Sequence, residues 1–74
     1  MDKNNIIYIL EEIKIKLGET YDLWQTIPRD IQNEFEHLFE NNQGAGYNIY
    51  RAFENLGDIK KKDIDVICES YGIK

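Results

Sequence analysis

The sequence predicts an all-α protein, a compact antiparallel bundle of three to four short helices. Three observations carry this. Apolar residues recur at spacings of three and four along most of the chain. Turn-forming residues interrupt that pattern at Gly18, Pro28, the Asn41-Asn42-Gln43-Gly44 run, Gly57 and Gly72. No stretch alternates apolar and polar residues over a useful strand length.

The first helix follows from Ile6, Leu10, Ile13 and Leu17, which line one face, and Gly18 is expected to stop it as a left-handed cap. Glu19 to Thr26 then reads as a connector in which Thr20 caps a single turn and Trp24 is a core anchor. Pro28 marks the start of the second helix, because a residue without an amide donor loses nothing in a first turn. Its apolar stripe is Ile27, Ile31, Phe35, Leu38 and Phe39. The third helix runs from about Ala45 to Leu56, with Ile49, Ala52, Phe53 and Leu56 on one side, and Gly57 ends it. Asp58 is placed to cap a last helix that buries Ile64, Ile67, Cys68 and Tyr71, with Gly72 as its stop and Ile73 folding back in a Schellman contact.

Residues 1–74 read as a single helical domain without internal repeats. A chain of 74 residues hides only about 60% of the surface its unfolded form exposes. The core must therefore be thin, and association can supply part of the stability. No segment approaches the roughly 20 apolar residues of a bilayer span, and Glu11 and Glu12 interrupt the apolar run from Ile6 before it becomes a signal-peptide core. The single cysteine, Cys68, permits no internal disulfide and suits a reducing compartment, so a cytoplasmic setting is expected.

The formal charge of −5 is confined to residues 19–40, where Glu19, Asp22, Asp30, Glu34, Glu36 and Glu40 face only Arg29. Residues 1–18 and 41–74 each balance. Such a localised pole can select a basic partner surface, whereas a solvated face without a partner is the plain alternative. Asp30 with Glu34, and Glu36 with Glu40, are spaced four apart, and each pair stacked on a helix costs a few tenths of a kcal/mol, roughly, without a cation nearby. A protein with a basic surface, such as a nucleic-acid-binding enzyme, would supply the missing cations.

Tyr8 and Ile15 lie seven apart, nearly opposite the main stripe of the first helix, and both faces cannot be buried by one thin bundle. They are expected to meet the fourth helix or to form an intermolecular contact, including a homodimer. Tyr47 and Arg51, four apart on the third helix, could stack as a cation on a ring, either as a local pair or as a hot spot for binding.

Several chemistries are disfavoured. His37 is alone, Cys68 sits on a different helix, and together they supply neither a nucleophile–base pair nor a zinc site, so no catalytic residue, metal or cofactor is assigned. In the stretch around Leu56 to Ile64, an EF-hand register leaves too few oxygen ligands for calcium. Lys60, Lys61 and Lys62 form the one basic run, but Asp58, Asp63 and Asp65 surround them and the pI is 4.7. Direct nucleic-acid binding by a helix-turn-helix is therefore the least favoured reading. Gly44-Ala45-Gly46 precedes a helix whose amides could hold an anion, yet it lacks the lysine of a phosphate loop and reads better as a connector.

The expected function is a small acidic non-enzymatic module that docks on another protein and modulates or inhibits it. Phage and mobile-element inhibitors of nucleic-acid enzymes share this general build, a likeness of kind only. Asp30, Glu34, Glu36 and Glu40 would pair with lysine and arginine, and Tyr8, Ile15 or Tyr47 with Arg51 would anchor the contact. The alternatives are a homo-oligomeric structural or regulatory module and, less favoured, a DNA-binding regulator.

Overall fold

Four helices make up the structure, a computed structural model that describes residues 1–41 and 43–74: α1 (Lys3–Trp24), α2 (Arg29–Glu36), α3 (Ala45–Asp58) and α4 (Lys61–Ser70). The all-α bundle is as the sequence predicts, while several boundaries differ. Asn42 of the expected loop lies outside the described residues.

The Asp2 carboxylate caps α1 by accepting the Asn5 amide at 2.9 Å. The helix does not stop at Gly18 but runs on to Trp24. Gly18 faces α3 from the helix interior, where a Cβ would meet Phe53 Cε2 at an ordinary contact distance of 3.4 Å. Thr20 caps no separate turn, because its hydroxyl donates to the Lys16 carbonyl one turn back, at 2.7 Å. Likewise α3 passes through Gly57 to Asp58. Lys60, not Asp58, occupies the N-cap of α4, and Asp63 reaches back to accept the Lys60 amide at 3.0 Å.

The end of α4 follows the sequence. Gly72 adopts φ +69°, its amide donates to Glu69 O at 3.1 Å, and Ile73 N–H donates to Cys68 O at 2.8 Å, the two bonds of a Schellman motif.

Packing centres on α1 and α3, which run antiparallel. Trp24 meets Gly46, the Tyr21 and Tyr50 rings lie 5.8 Å apart at 45°, and Gly18 meets Phe53. From α3 the chain turns back along the N-terminal half of α1, where Ile64 shares a small cleft with Ile7, Leu10 and Leu56. Lys3 Nζ there stands 2.9 Å from Asp65 Oδ1. At the opposite end α2 packs on α3.

With α2 and α4 serving different ends, the bundle is drawn out to 47 × 23 × 17 Å. Its radius of gyration is 15.9 Å, against about 11 Å for an average domain of this length.

The core is correspondingly slight. Cys68 is buried as expected, at 3% exposure, but no large side chain is fully enclosed among the described residues. Ile67 and Tyr71, expected inside, are exposed. The accessible surface is 6042 Å², whereas a folded monomer of this mass exposes about 4,800 Å². Among the described residues no helix is long and apolar enough to cross a membrane.

Candidate docking surface on the second helix

α2 places its polar side inward. The expected apolar stripe turns outward beyond Ile27, which is half-buried: Ile31, Phe35, Leu38 and Phe39 are 46%, 49%, 72% and 54% exposed, and Gln32 is buried at 8%. The reason lies in the backbone groups left open at the neighbouring helix ends. Chain reversal after α1 exposes carbonyls that need donors. Gln32 Nε2 donates to Trp24 O at 3.0 Å and to Ile27 O at 2.8 Å. A leucine there would leave both carbonyls without that donor.

One turn further on, Glu36 meets the opposite need. The N-terminus of α3 presents free amides, and Glu36 Oε1 accepts Gly46 N–H at 2.7 Å. Gly44 and Gly46 are both buried beneath this carboxylate. A Cβ on Gly46 would come within 2.4 Å of Trp24 Nε1 and 2.7 Å of Glu36 Oε1, so both side chains occupy the space a larger residue would need. The glycine segment thus does hold an anion, and that anion is the chain's own Glu36.

This corrects two expectations. Glu36 is committed inside the molecule rather than projecting with the other carboxylates. Nor do Glu36 and Glu40 stack as a helical pair, since α2 ends at Glu36 with His37 as its C-cap and Glu40 follows in the turn.

Asp30, Glu34 and Glu40 are exposed. Among the described residues two ion pairs form, Lys3–Asp65 and Arg51–Glu54, and neither involves residues 19–40. The lysine run at Lys60, Lys61 and Lys62, at the N-cap and start of α4, is solvent-exposed and does not pair with the acidic stretch. Here α2 presents uncompensated carboxylates beside an outward apolar row, the combination of a binding helix with charge on its rim.

The remaining expected site residues lie elsewhere. Tyr8 and Ile15 are 65% and 54% exposed and are not covered by α4. Tyr47 is partly exposed, but Arg51 turns from its ring to Glu54, at 3.9 Å. Glu54 also accepts the Tyr50 hydroxyl at 3.1 Å, and that hydrogen bond, before the carboxylate's charge, raises the Tyr50 pKa. Tyr47 and Arg51 therefore do not form the expected stacked pair.

A second feature pairs the chain's two ends. The Lys3 ammonium holds the Asp65 carboxyl below its ordinary range, chiefly through their side-chain contact, and Asp65 in turn raises Lys3. Asp65 Oδ1 is closed to solvent and accepts no well-aligned hydrogen bond, so the nearby ammonium is what compensates it. These residues border an open groove of about 290 Å³ that also takes in Glu69, Gly72, Ile73 and Lys74.

No protein-family model, curated protein or solved structure matches this chain.

Proposed function

We propose that the chain is a small non-enzymatic protein-binding module that docks through Asp30 and Glu34 of α2 and Glu40 of the turn that follows onto a basic protein surface. It would act there as an inhibitor or modulator, of the phage or mobile-element kind, on a nucleic-acid-processing protein. One observation carries this reading: Asp30, Glu34 and Glu40, half of the six carboxylates in the stretch that holds the chain's net charge, stand exposed and, among the described residues, form no ion pair. Like charges held together unrelieved are favourable only when an external cation meets them, and a partner's lysines and arginines do this while steering its approach.

The test replaces Asp30, Glu34 and Glu40 by lysine, leaving Glu36 in its structural place, and repeats affinity capture from cells of the source organism. Loss of the captured partner at physiological salt is expected. Unchanged recovery would remove the acidic surface from the account.

A second reading, a homo-oligomeric regulatory module, draws on the surface of 6042 Å², about 1,200 Å² beyond that of an average monomer. Its natural contact would be Tyr8 and Ile15, but Glu11 and Glu19 flank those residues on α1 and would oppose their counterparts in a second copy. Sedimentation at micromolar concentration decides the matter, a monomer counting against it.

A further inference from the structure

We infer that the outward row of Ile31, Phe35, Leu38 and Phe39 is the anchor of the interface, inserting into an apolar groove whose rim carries lysine or arginine. This deepens the proposed function and rests on it, adding the apolar half of the partner's chemistry. All four side chains belong to one short segment and all are at least 46% exposed. A helix that buried its own apolar face would have gained the favourable transfer of these side chains out of water. Here Gln32 and Glu36 hold the neighbouring face, about 100° round the helix from Ile31 and Phe35, against the body, so specific polar bonds set the rotation that leaves the row exposed.

The spacing suits a groove. Ile31 and Phe35 are one turn apart on α2, and Leu38 and Phe39 continue the row through the following turn. Ile31 and Phe35 keep the four-residue spacing with which an amphipathic helix enters an apolar cleft, and Leu38 and Phe39 extend the apolar row beyond the helix end. Charge decides between the candidate occupants. A second copy would set Asp30, Glu34 and Glu40 against the same residues of its mate, with Arg29 the one cation in the acidic stretch. A basic-rimmed groove meets the same carboxylates favourably.

The experiment uses the full chain and three probes: a synthetic amphipathic helix with a leucine stripe flanked by lysines, the same helix with glutamates in place of the lysines, and oligolysine. Calorimetry gives affinities, and amide chemical shifts locate the contact. The leucine–lysine helix is expected to bind with shifts centred on residues 31–39, and the leucine–glutamate helix at least about ten-fold more weakly. Phe35→Ala removes an exposed ring, so the fold should stand. It is expected to weaken the leucine–lysine helix about ten-fold or more, the effect of losing one hot-spot side chain, and to leave oligolysine binding unchanged.

If Phe35→Ala binds like the parent, or the shifts map to α4, the anchor is wrong while the anionic docking reading survives. If the glutamate helix binds as well as the lysine helix, both fall. If the chain dimerises and Phe35→Ala dissociates the dimer, the occupant is a second copy and the inference is overturned.

Discussion

Glu36 Oε1 accepts a 2.7 Å hydrogen bond from the backbone N–H of Gly46, so a carboxylate that counts toward the acidic stretch in the sequence serves in the fold as the cap of the next helix. The contact joins α2 to α3 and shields the first amides of α3, where the helix dipole favours a negative charge. It also separates the structural acid of this segment from the carboxylates free to meet a partner.

Replacing Glu36 by alanine should cost about 1 kcal/mol, the usual value of a helix cap. Gly46→Ala should cost about 1–3 kcal/mol, because the added methyl group meets the Trp24 ring. Chemical denaturation read by far-ultraviolet circular dichroism checks both. Equal stability of the parent and Gly46→Ala would contradict the close approach of Trp24.

Gln32 gives a second test of how α2 is held. Gln32→Leu adds apolar volume to a buried position but removes the donor to Trp24 O and Ile27 O. A loss of about 1–3 kcal/mol is expected from the Ile27 carbonyl left without its donor, while Trp24 O keeps the Ile27 N–H at 3.1 Å. Trp24, the chain's single tryptophan, reports the change directly by its fluorescence. A gain in stability would mean that α2 prefers an apolar face inward after all.

Two glycines should respond in opposite directions. Gly18 lies inside α1 with room at van der Waals distance from Phe53, so Gly18→Ala should stabilise by up to about 1 kcal/mol through helix propensity. Gly72 stands at φ +69°, and Gly72→Ala should destabilise by about 1 kcal/mol. Thermal melts of the two variants read the signs. Destabilisation by Gly18→Ala would restore a helix end at that residue.

The Lys3–Asp65 pair sets a pH dependence. Asp65 is depressed in the folded state, so its contribution is present above the ordinary carboxylate pKa and fades as pH falls through the lowered value. Lys3 is raised, so its contribution is present below the ordinary lysine pKa and fades as pH rises through the higher value. Between about pH 4 and pH 10 the difference in melting temperature between the parent and Lys3→Met should be constant. It should shrink toward zero in more acid solution and fall with added salt. A difference that persists unchanged at low pH would assign the stabilisation to packing of the lysine stem.

Helix type was legible because it depends on neighbours in sequence. The spacing of Ile6, Leu10 and Leu17 forms α1, and Gly72 with Ile73 forms the Schellman end of α4, since each requires only local backbone geometry. Gly18 and Gly57 were misleading for the same reason. A glycine can end a helix or lie within one, and only the packing of α1 against α3 shows that α1 continues past Gly18.

The candidate surface was half legible. Its charge could be counted, and Asp30, Glu34 and Glu40 do face solvent. The apolar half could not be found from periodicity, because a stripe at helical spacing looks the same whether it faces the body or a partner. Gln32 gave no signal as a buried donor, and the link from Glu36 to the glycine segment spans ten residues that no local rule connects.

By itself the sequence determined the helical class, the positions of most turns and the confinement of net charge to residues 19–40, all properties of short stretches of chain. Tertiary structure decided which face of α2 meets the body and which carboxylate is withdrawn from the acidic group. The physical reason is that open amides and carbonyls at the ends of α1 and α3 must be satisfied, and the side chains that reach them are selected by three-dimensional proximity.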